Sequence, residues 1–310
     1  MARMGTIANR AEALLGTAVV ATTPVAGGDI CTSTRLRLSD GRSALIKTRP
    51  HPPTGFFPTE ARGLRWIGDT PGVDVPEVLA VEEDCLILHW VEPGRPSPEA
   101  AEQFGRDLAE THGTGAPVFG TESGEDGFIG TLPLPNRPAD TWPEFFATRR
   151  ILPYVKLARD RSAVSQEDVE TIESVVRRIA DLAGPPEPPA RLHGDLWSGN
   201  VLWGQDGRTW LVDPAAYGGH RETDLAMLAL FTSVATAQAQ AGGRIGGRVT
   251  SAASTVVRSR RSRSQLPASA APADSRTTRF MISSPVSEGR QETPVSAESQ
   301  AISLPERTWL

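Results

Sequence analysis

The stretch Arg191-Leu-His-Gly-Asp-Leu-Trp-Ser-Gly-Asn-Val-Leu-Trp203 runs through Gly204-Gln-Asp-Gly207 into Thr209-Trp-Leu-Val-Asp-Pro214. Asp195 and Asn200 stand five residues apart with small and polar residues between them, a loop pattern rather than a helical one. Val201-Leu-Trp203 and Trp210-Leu-Val212 are short apolar runs on either side of a Gly-flanked turn, and they predict a β-hairpin. Folding that hairpin returns Asp213, at the end of its second strand, to the loop that carries Asp195 and Asn200. Three oxygen-bearing side chains then converge on one cavity.

Phosphoryl transfer needs such a set. One carboxylate takes the proton of the attacking hydroxyl, while an amide oxygen and a second carboxylate hold Mg²⁺ against the phosphates of a nucleotide. The spacing H-x-D-x-x-x-x-N followed by an aspartate is the kinase pattern, here with Gly194 at the second position. His193-Gly-Asp195 alone would read as a turn whose Asp caps local structure. The distance to Asn200 and the apolar hairpin ending in Asp213-Pro214 carry the stronger reading. Upstream, Lys47 ends an apolar strand and is one of two lysines in the chain, with Lys156. A strand lysine that contacts phosphates is oriented by a helix glutamate, and Glu60, on the next predicted helix, is the candidate. Taken alone, a Lys–Glu pair is more often a surface ion pair of little energetic weight. Gly27 and Gly28 precede the first hairpin and are placed to cover phosphates, although the segment is not G-x-G-x-x-G. His89-Trp90-Val91-Glu92 follows the apolar Leu86-Ile-Leu88 and suits an adenine ring, or else is an ordinary strand end.

Around these residues the chain reads as α+β. Val19–Val25, Arg35–Leu38, Ala44–Lys47, Val78–Ala80 and Cys85–Trp90 are predicted strands, with Ser39-Asp40-Gly41-Arg42 as a hairpin turn. Predicted helices cover 7–15, 59–68, 98–112, 142–157 and 166–182. The expected division is an N-terminal nucleotide-binding sheet lobe over 1–90, a helical lobe over 91–231 and a low-complexity tail over 232–310.

Composition separates the tail from the rest. Residues 1–231 hold 22 Lys and Arg against 32 Asp and Glu, a net of −10; residues 232–310 hold 10 Arg and 5 acids, a net of +5. The tail contains 34 Ser, Thr or Ala and has Phe280 and Trp309 as its aromatics, so disorder is expected from about Ala235 onward. Its run Arg258-Ser-Arg-Arg-Ser-Arg263 leaves three readings open: frame-shifted coding, a genuine disordered tail, or an arm for RNA or an anionic surface. For the whole chain of 310 residues, the net charge of −5 argues against a nucleic-acid binder. No apolar run approaches the ~20 residues of a membrane span. Cys31 and Cys85 are too few for a disulfide framework, and Met1–Ala26 shows no export pattern, so a reducing cytoplasm is the expected compartment.

On the residues His193-Gly-Asp-Leu-Trp-Ser-Gly-Asn200, Asp213-Pro-Ala-Ala-Tyr-Gly-Gly-His-Arg-Glu-Thr-Asp-Leu-Ala-Met227, Gly27-Gly-Asp-Ile30, Phe57-Pro-Thr-Glu-Ala-Arg-Gly-Leu64 and Arg150–Asp160, the chain resembles the fructosamine (ketosamine-3-) kinases, a branch of the protein-kinase-like superfamily that includes aminoglycoside phosphotransferases. The resemblance spans residues 1–231. It implies a two-lobe kinase-like fold and ATP-dependent phosphorylation of the sugar 3-hydroxyl of a ketosamine, which leads to deglycation. It implies Asp195 as the base, Asn200 and Asp213 as Mg²⁺ ligands, and Lys47 with Glu60 as the phosphate-binding pair. Asp224 would bond the loop of Asp195 structurally. Trp197, His220 and Glu222 would face the substrate, with core packing as the other reading of Trp197. Helices that the family carries after residues 224–231 have no counterpart in the tail, so an incomplete helical lobe and impaired activity are expected. An aminoglycoside-type phosphotransferase and a non-catalytic kinase-like remnant are the alternatives.

Overall fold

Lys47 owes its position to the twofold alternation of a β-strand. It lies on the third strand of a five-stranded antiparallel sheet built from β1 (Val19–Val25), β2 (Thr32–Leu38), β3 (Ser43–Thr48), β4 (Val78–Val81) and β5 (Cys85–His89), in the order β1-β2-β3-β5-β4. This computed structural model describes residues 2–26 and 30–230. All of these fall in the unit Met1–Leu266; the expected tail over 232–310, Gly27 and Gly28 lie outside the described residues.

Successive side chains of a strand point to opposite faces. Leu36, Leu38, Ala44, Ile46 and Ile87 meet Ala11 and Leu14 of α1 (Ala2–Leu15), which covers one face of the sheet. On the other face, Leu86 and Leu88 pack with Phe57, Ala61 and Leu64 of α2 (Phe56–Gly68). Lys47 pairs with Leu86 in the register and so shares the α2 face, where Glu60 meets it. The turn between β2 and β3 forms as the sequence predicts, with Leu38 N–H donating to Arg42 C=O at 2.9 Å and Gly41 at φ 89°.

The helical lobe begins with α3 (Pro98–Thr114). Its start is set by Ser97, whose hydroxyl accepts from Ala100 N–H, and by Pro98, whose missing N–H costs nothing at a helix start. Phe104 and Leu108 of α3 pack on Leu196, Val201, Trp203 and Leu211, the apolar side chains that bracket Asp195 and Asn200. The predicted hairpin is present as β9 (Val201–Trp203) and β10 (Thr209–Leu211).

Two strand pairs do not figure in the sequence reading. β6 (Gly127–Ile129) and β7 (Leu132–Leu134) form a hairpin, and β8 (Ala190–Leu192) pairs with β11 (Tyr217–Gly219). The single helix expected over 142–157 is also corrected. It is divided into α4 (Trp142–Phe145), a π-helical turn (Phe146–Ile151) and α5 (Leu152–Asp160). Pro153 offers no N–H and its ring crowds the carbonyl four residues earlier, so the chain widens ahead of it. The helix expected over 166–182 breaks at Arg178 into α6 (Gln166–Arg177) and α7 (Ile179–Leu182). Residues 222–230 are helical and close the described part of the lobe.

Candidate active site

The loop after β8 turns sharply at Gly194, where φ is 81° and an added Cβ would lie 2.1 Å from the Ala215 carbonyl oxygen. Glycine is therefore required there. The turn is stapled from beneath by Asp224, which is 1% exposed. Its Oδ2 accepts from His193 N–H at 2.9 Å and its Oδ1 from Gly194 N–H at 3.0 Å, while His112 Nε2 lies 2.9 Å from Oδ2. Burial alone would raise the Asp224 carboxyl, but the His112 bond, the two neighbouring imidazoles and the Gly194 N–H outweigh it and hold the pKa below the ordinary value.

His193 is buried, and burial lowers its pKa against the pull of Asp224. Its Nδ1 accepts from Asp195 N–H at 3.3 Å, so the neutral ring carries its proton on Nε2 and donates it to Val212 C=O at 2.9 Å. That bond ties the loop to the end of the β9–β10 hairpin, as does Val212 N–H to Asn200 C=O at 3.1 Å. Asp213, at the next residue, has φ 56°.

Asp195 and Asn200 are brought together. Asn200 Nδ2 donates to Asp195 Oδ2 at 3.1 Å and to its main-chain oxygen at 2.9 Å. Burial raises the Asp195 carboxyl above its ordinary value; His193 and the Asn200 amide oppose the shift, and Asp213 adds to it. Across the cleft, Lys47 Nζ lies 2.6 Å from Glu60 Oε1 and 2.7 Å from Asp213 Oδ1. The lysine is 6% exposed. Burial disfavours its charge, but the two carboxylates outweigh that cost and hold its pKa above the ordinary lysine value.

Lys47, Glu60, Asp195, Asn200 and Asp213 all line one cleft of about 620 Å³, within the range of small-molecule sites. Leu45, Leu88, His89, Trp90 and Val91 line it too, so the segment after Leu88, expected as an adenine wall or an ordinary strand end, opens on the same space. Trp197, 39% exposed, is a further lining residue, and its indole lies over Gly199. His220 and Glu222 are not among the lining residues. They stand at the start of the helix over 222–230, where Glu222 N–H donates to His220 Nδ1 at 3.3 Å and the His220 ring is 6.0 Å from Trp142. Phe128, Ile129 and Gly130 of the β6–β7 hairpin line the cleft although the sequence reading does not name them; the turn glycine Gly130, φ 58°, was the available signal.

The donor set fits a magnesium ion. With its nitrogen committed to Asp195, Asn200 offers Oδ1, and Asp213 offers the oxygen that does not meet Lys47. Mg²⁺ favours such sparse protein ligation, completing its shell with water and phosphate oxygens. Among the described residues, no group of three or more His, Cys, Asp or Glu is placed to hold a metal ion.

A sequence profile of the fructosamine kinase family matches residues 4–241. A protein of Thermus thermophilus named a probable ketoamine kinase is 39% identical over 208 residues, 67% of this chain and 72% of that protein. One of the same name from Enterococcus faecium is 33% identical over 213 residues, 67% and 74% of the two chains. The crystal structure of a candidate fructosamine-3-kinase from Thermobifida fusca is 39% identical and superposes with a TM-score of 0.69, covering 82% of this chain and 99% of the other. A macrolide 2′-phosphotransferase, 17% identical with a TM-score of 0.53 over 83% of this chain and 88% of its own, shares the kinase-like fold.

Proposed function

Because this chain belongs to the fructosamine kinase family, we propose that it transfers the terminal phosphoryl group of ATP to the sugar 3-hydroxyl of a ketosamine. The observation that carries the reading is the single cleft shared by Asp195–Asn200 on one side and Lys47–Glu60–Asp213 on the other. Asp195 accepts the proton of the attacking hydroxyl, on a carboxylate that the Asn200 amide holds in orientation. Its upward-shifted pKa makes it a better proton acceptor than an ordinary aspartate. Of the three N–H donors of Lys47, two are committed to Glu60 and Asp213, and the third is left for a phosphate oxygen. Asn200 and Asp213 would hold Mg²⁺, which, when bound, neutralises charge on the phosphates. Trp197 offers a flat apolar wall to the C–H face of a sugar. The phosphorylated adduct then breaks down to release the amine, so the activity is deglycating.

The test is ADP release with a ribulosamine or fructosamine as acceptor, checked by ³¹P NMR for a sugar phosphate. Turnover is expected in the unmodified chain and is abolished by Asp195→Ala. ATP·Mg²⁺ binding no tighter than in Asp213→Ala would overturn the proposal.

A further inference from the structure

The two ends of α2 are held by different parts of the helical lobe. Toward its C-terminal end, Gly63 approaches Pro214 and Ala216, where an added Cβ would lie 3.3 Å from each, and Ile67 enters the core shared with Leu196 and Leu211. The end that carries Glu60 meets the β6–β7 hairpin instead. The Phe128 ring lies 5.3 Å from Phe56, which is itself edge-on to Phe57 at 5.2 Å. Gly127 sits against Thr59, the residue before Glu60; an added Cβ would be 3.6 Å from its methyl group. Arg62 and Glu125 add an exposed ion pair at 3.3 Å, of small weight.

Alternation along the hairpin lets it bridge the lobes. Phe128 joins the core beneath α2, whereas its neighbour Ile129 and cross-strand Leu134 join the core around Phe145 and Tyr217. The base of the hairpin is fixed by Arg150. Its guanidinium lies over Tyr217 at 3.8 Å and Phe145 at 4.6 Å, donates to Asn136 Oδ1 at 2.6 Å and also reaches the Pro135 carbonyl. Tyr154 O–H donates to Pro133 C=O at 2.8 Å. A three-residue-strand hairpin exposed on its own would be marginal; this one is tied at its base to the helical lobe and packs Phe128 of β6 against α2.

We infer that the β6–β7 hairpin is a clamp on α2, and that Phe128 is a positioning residue which keeps Glu60 in register with Lys47. The inference rests on the phosphotransferase reading, since it assigns the clamp to the Lys47–Glu60 pair. A side chain that acts through Glu60 loses its effect once Glu60 cannot pair. A side chain that merely stabilises the fold keeps it.

The test is a double-mutant cycle on ATP·Mg²⁺ affinity, with thermal midpoints measured alongside. Phe128→Ala is expected to weaken binding about five- to tenfold in the unmodified background, and less than about twofold in Glu60→Gln. Phe128→Leu, which keeps an apolar contact with Phe56, is expected to recover most of the loss. Should Phe128→Ala not fold, Phe128→Leu carries the same cycle with smaller factors. Equal factors in both backgrounds, or no effect of either variant, overturn the clamp. If the unmodified chain binds no nucleotide, or binds it equally well as Glu60→Gln, the phosphotransferase reading falls and the clamp falls with it. If Glu60→Gln weakens binding but the factors multiply, the clamp alone falls.

Discussion

At Asp195, burial and hydrogen bonding pull in opposite directions. Burial wins, and the folded-state pKa is raised above the ordinary aspartate value of 3.8. A base must be ionised, so kcat/KM, read at limiting substrate and nucleotide and hence reporting the free enzyme, is expected to fall as pH drops through a midpoint above 3.8. A midpoint at or below that value would contradict the assignment. Asp195→Asn is expected to lower kcat by about 10²- to 10⁴-fold with little change in ATP affinity, the span attributed to general-base catalysis. Gly194→Ala sets a second residue-scale test. An L side chain there combines a left-handed φ with a clash against the Ala215 carbonyl, so a loss of about 2 kcal/mol or more is expected from urea denaturation. The motif made Asp195, Asn200 and Asp213 legible in the sequence, because their spacing alone implies a loop and a returning hairpin. It could not show why Gly194 stands at the second position. The reason lies in Ala215, twenty-one residues downstream.

Strand β3 carries two adjacent residues with opposite duties. Ile46, fully buried under α1, belongs to the core, and Ile46→Ala is expected to cost about 2–5 kcal/mol in urea denaturation while the folded fraction still binds nucleotide. Lys47 faces α2 and the cleft; Lys47→Met is expected to lower nucleotide affinity at least about tenfold in calorimetric titration, since it removes a buried, hydrogen-bonded charge. If both variants lost affinity alike, the division of β3 into a core face and a site face would be wrong. Most elements of the sheet lobe are readable because alternation and turn residues agree over five or more positions. The β6–β7 and β8–β11 pairs escape notice for the opposite reason. With three residues per strand there is too little sequence to show a period; the equally short β9–β10 is readable from the Gly-flanked turn between its apolar runs, whereas Pro133 interrupts β7 and β8 and β11 lie far apart in the chain. Pro153 was visible, yet the chain passes it as a π-turn running into α5 rather than as a helix end.

Across the whole molecule, Asp224 joins three parts of the helical lobe: α3 through His112, the loop of Asp195 through two N–H groups, and its own helix over 222–230. Asp224→Asn replaces one acceptor oxygen by an amide donor that faces other donors. A loss of about 2 kcal/mol or more is expected, because a buried carboxylate that accepts three hydrogen bonds is lost. The pH dependence has a definite sign. Because the folded-state pKa lies below 3.8, the carboxylate's contribution is complete above that value and is lost as pH falls through the folded pKa. The part of the difference between the unmodified chain and Asp224→Asn that comes from this carboxylate is therefore expected to shrink as pH is lowered below 3.8 in urea. A difference that grew on acidification would refute the assignment.

The ion pair between Lys47 and Asp213 crosses from the sheet lobe to the helical lobe, whereas Asp195 and Asn200 are bonded to each other within a single loop. A displacement of β3 away from the loop of Asp213 would lengthen the first contact and leave the second untouched. If a nucleotide binds between Lys47 and Asp213 as proposed, its exit would leave the Asp195–Asn200 bond in place, because that bond lies within a single loop. Paired labels on β3 and α3 should separate during such a displacement while the Asn200 side-chain amide resonance holds its frequency.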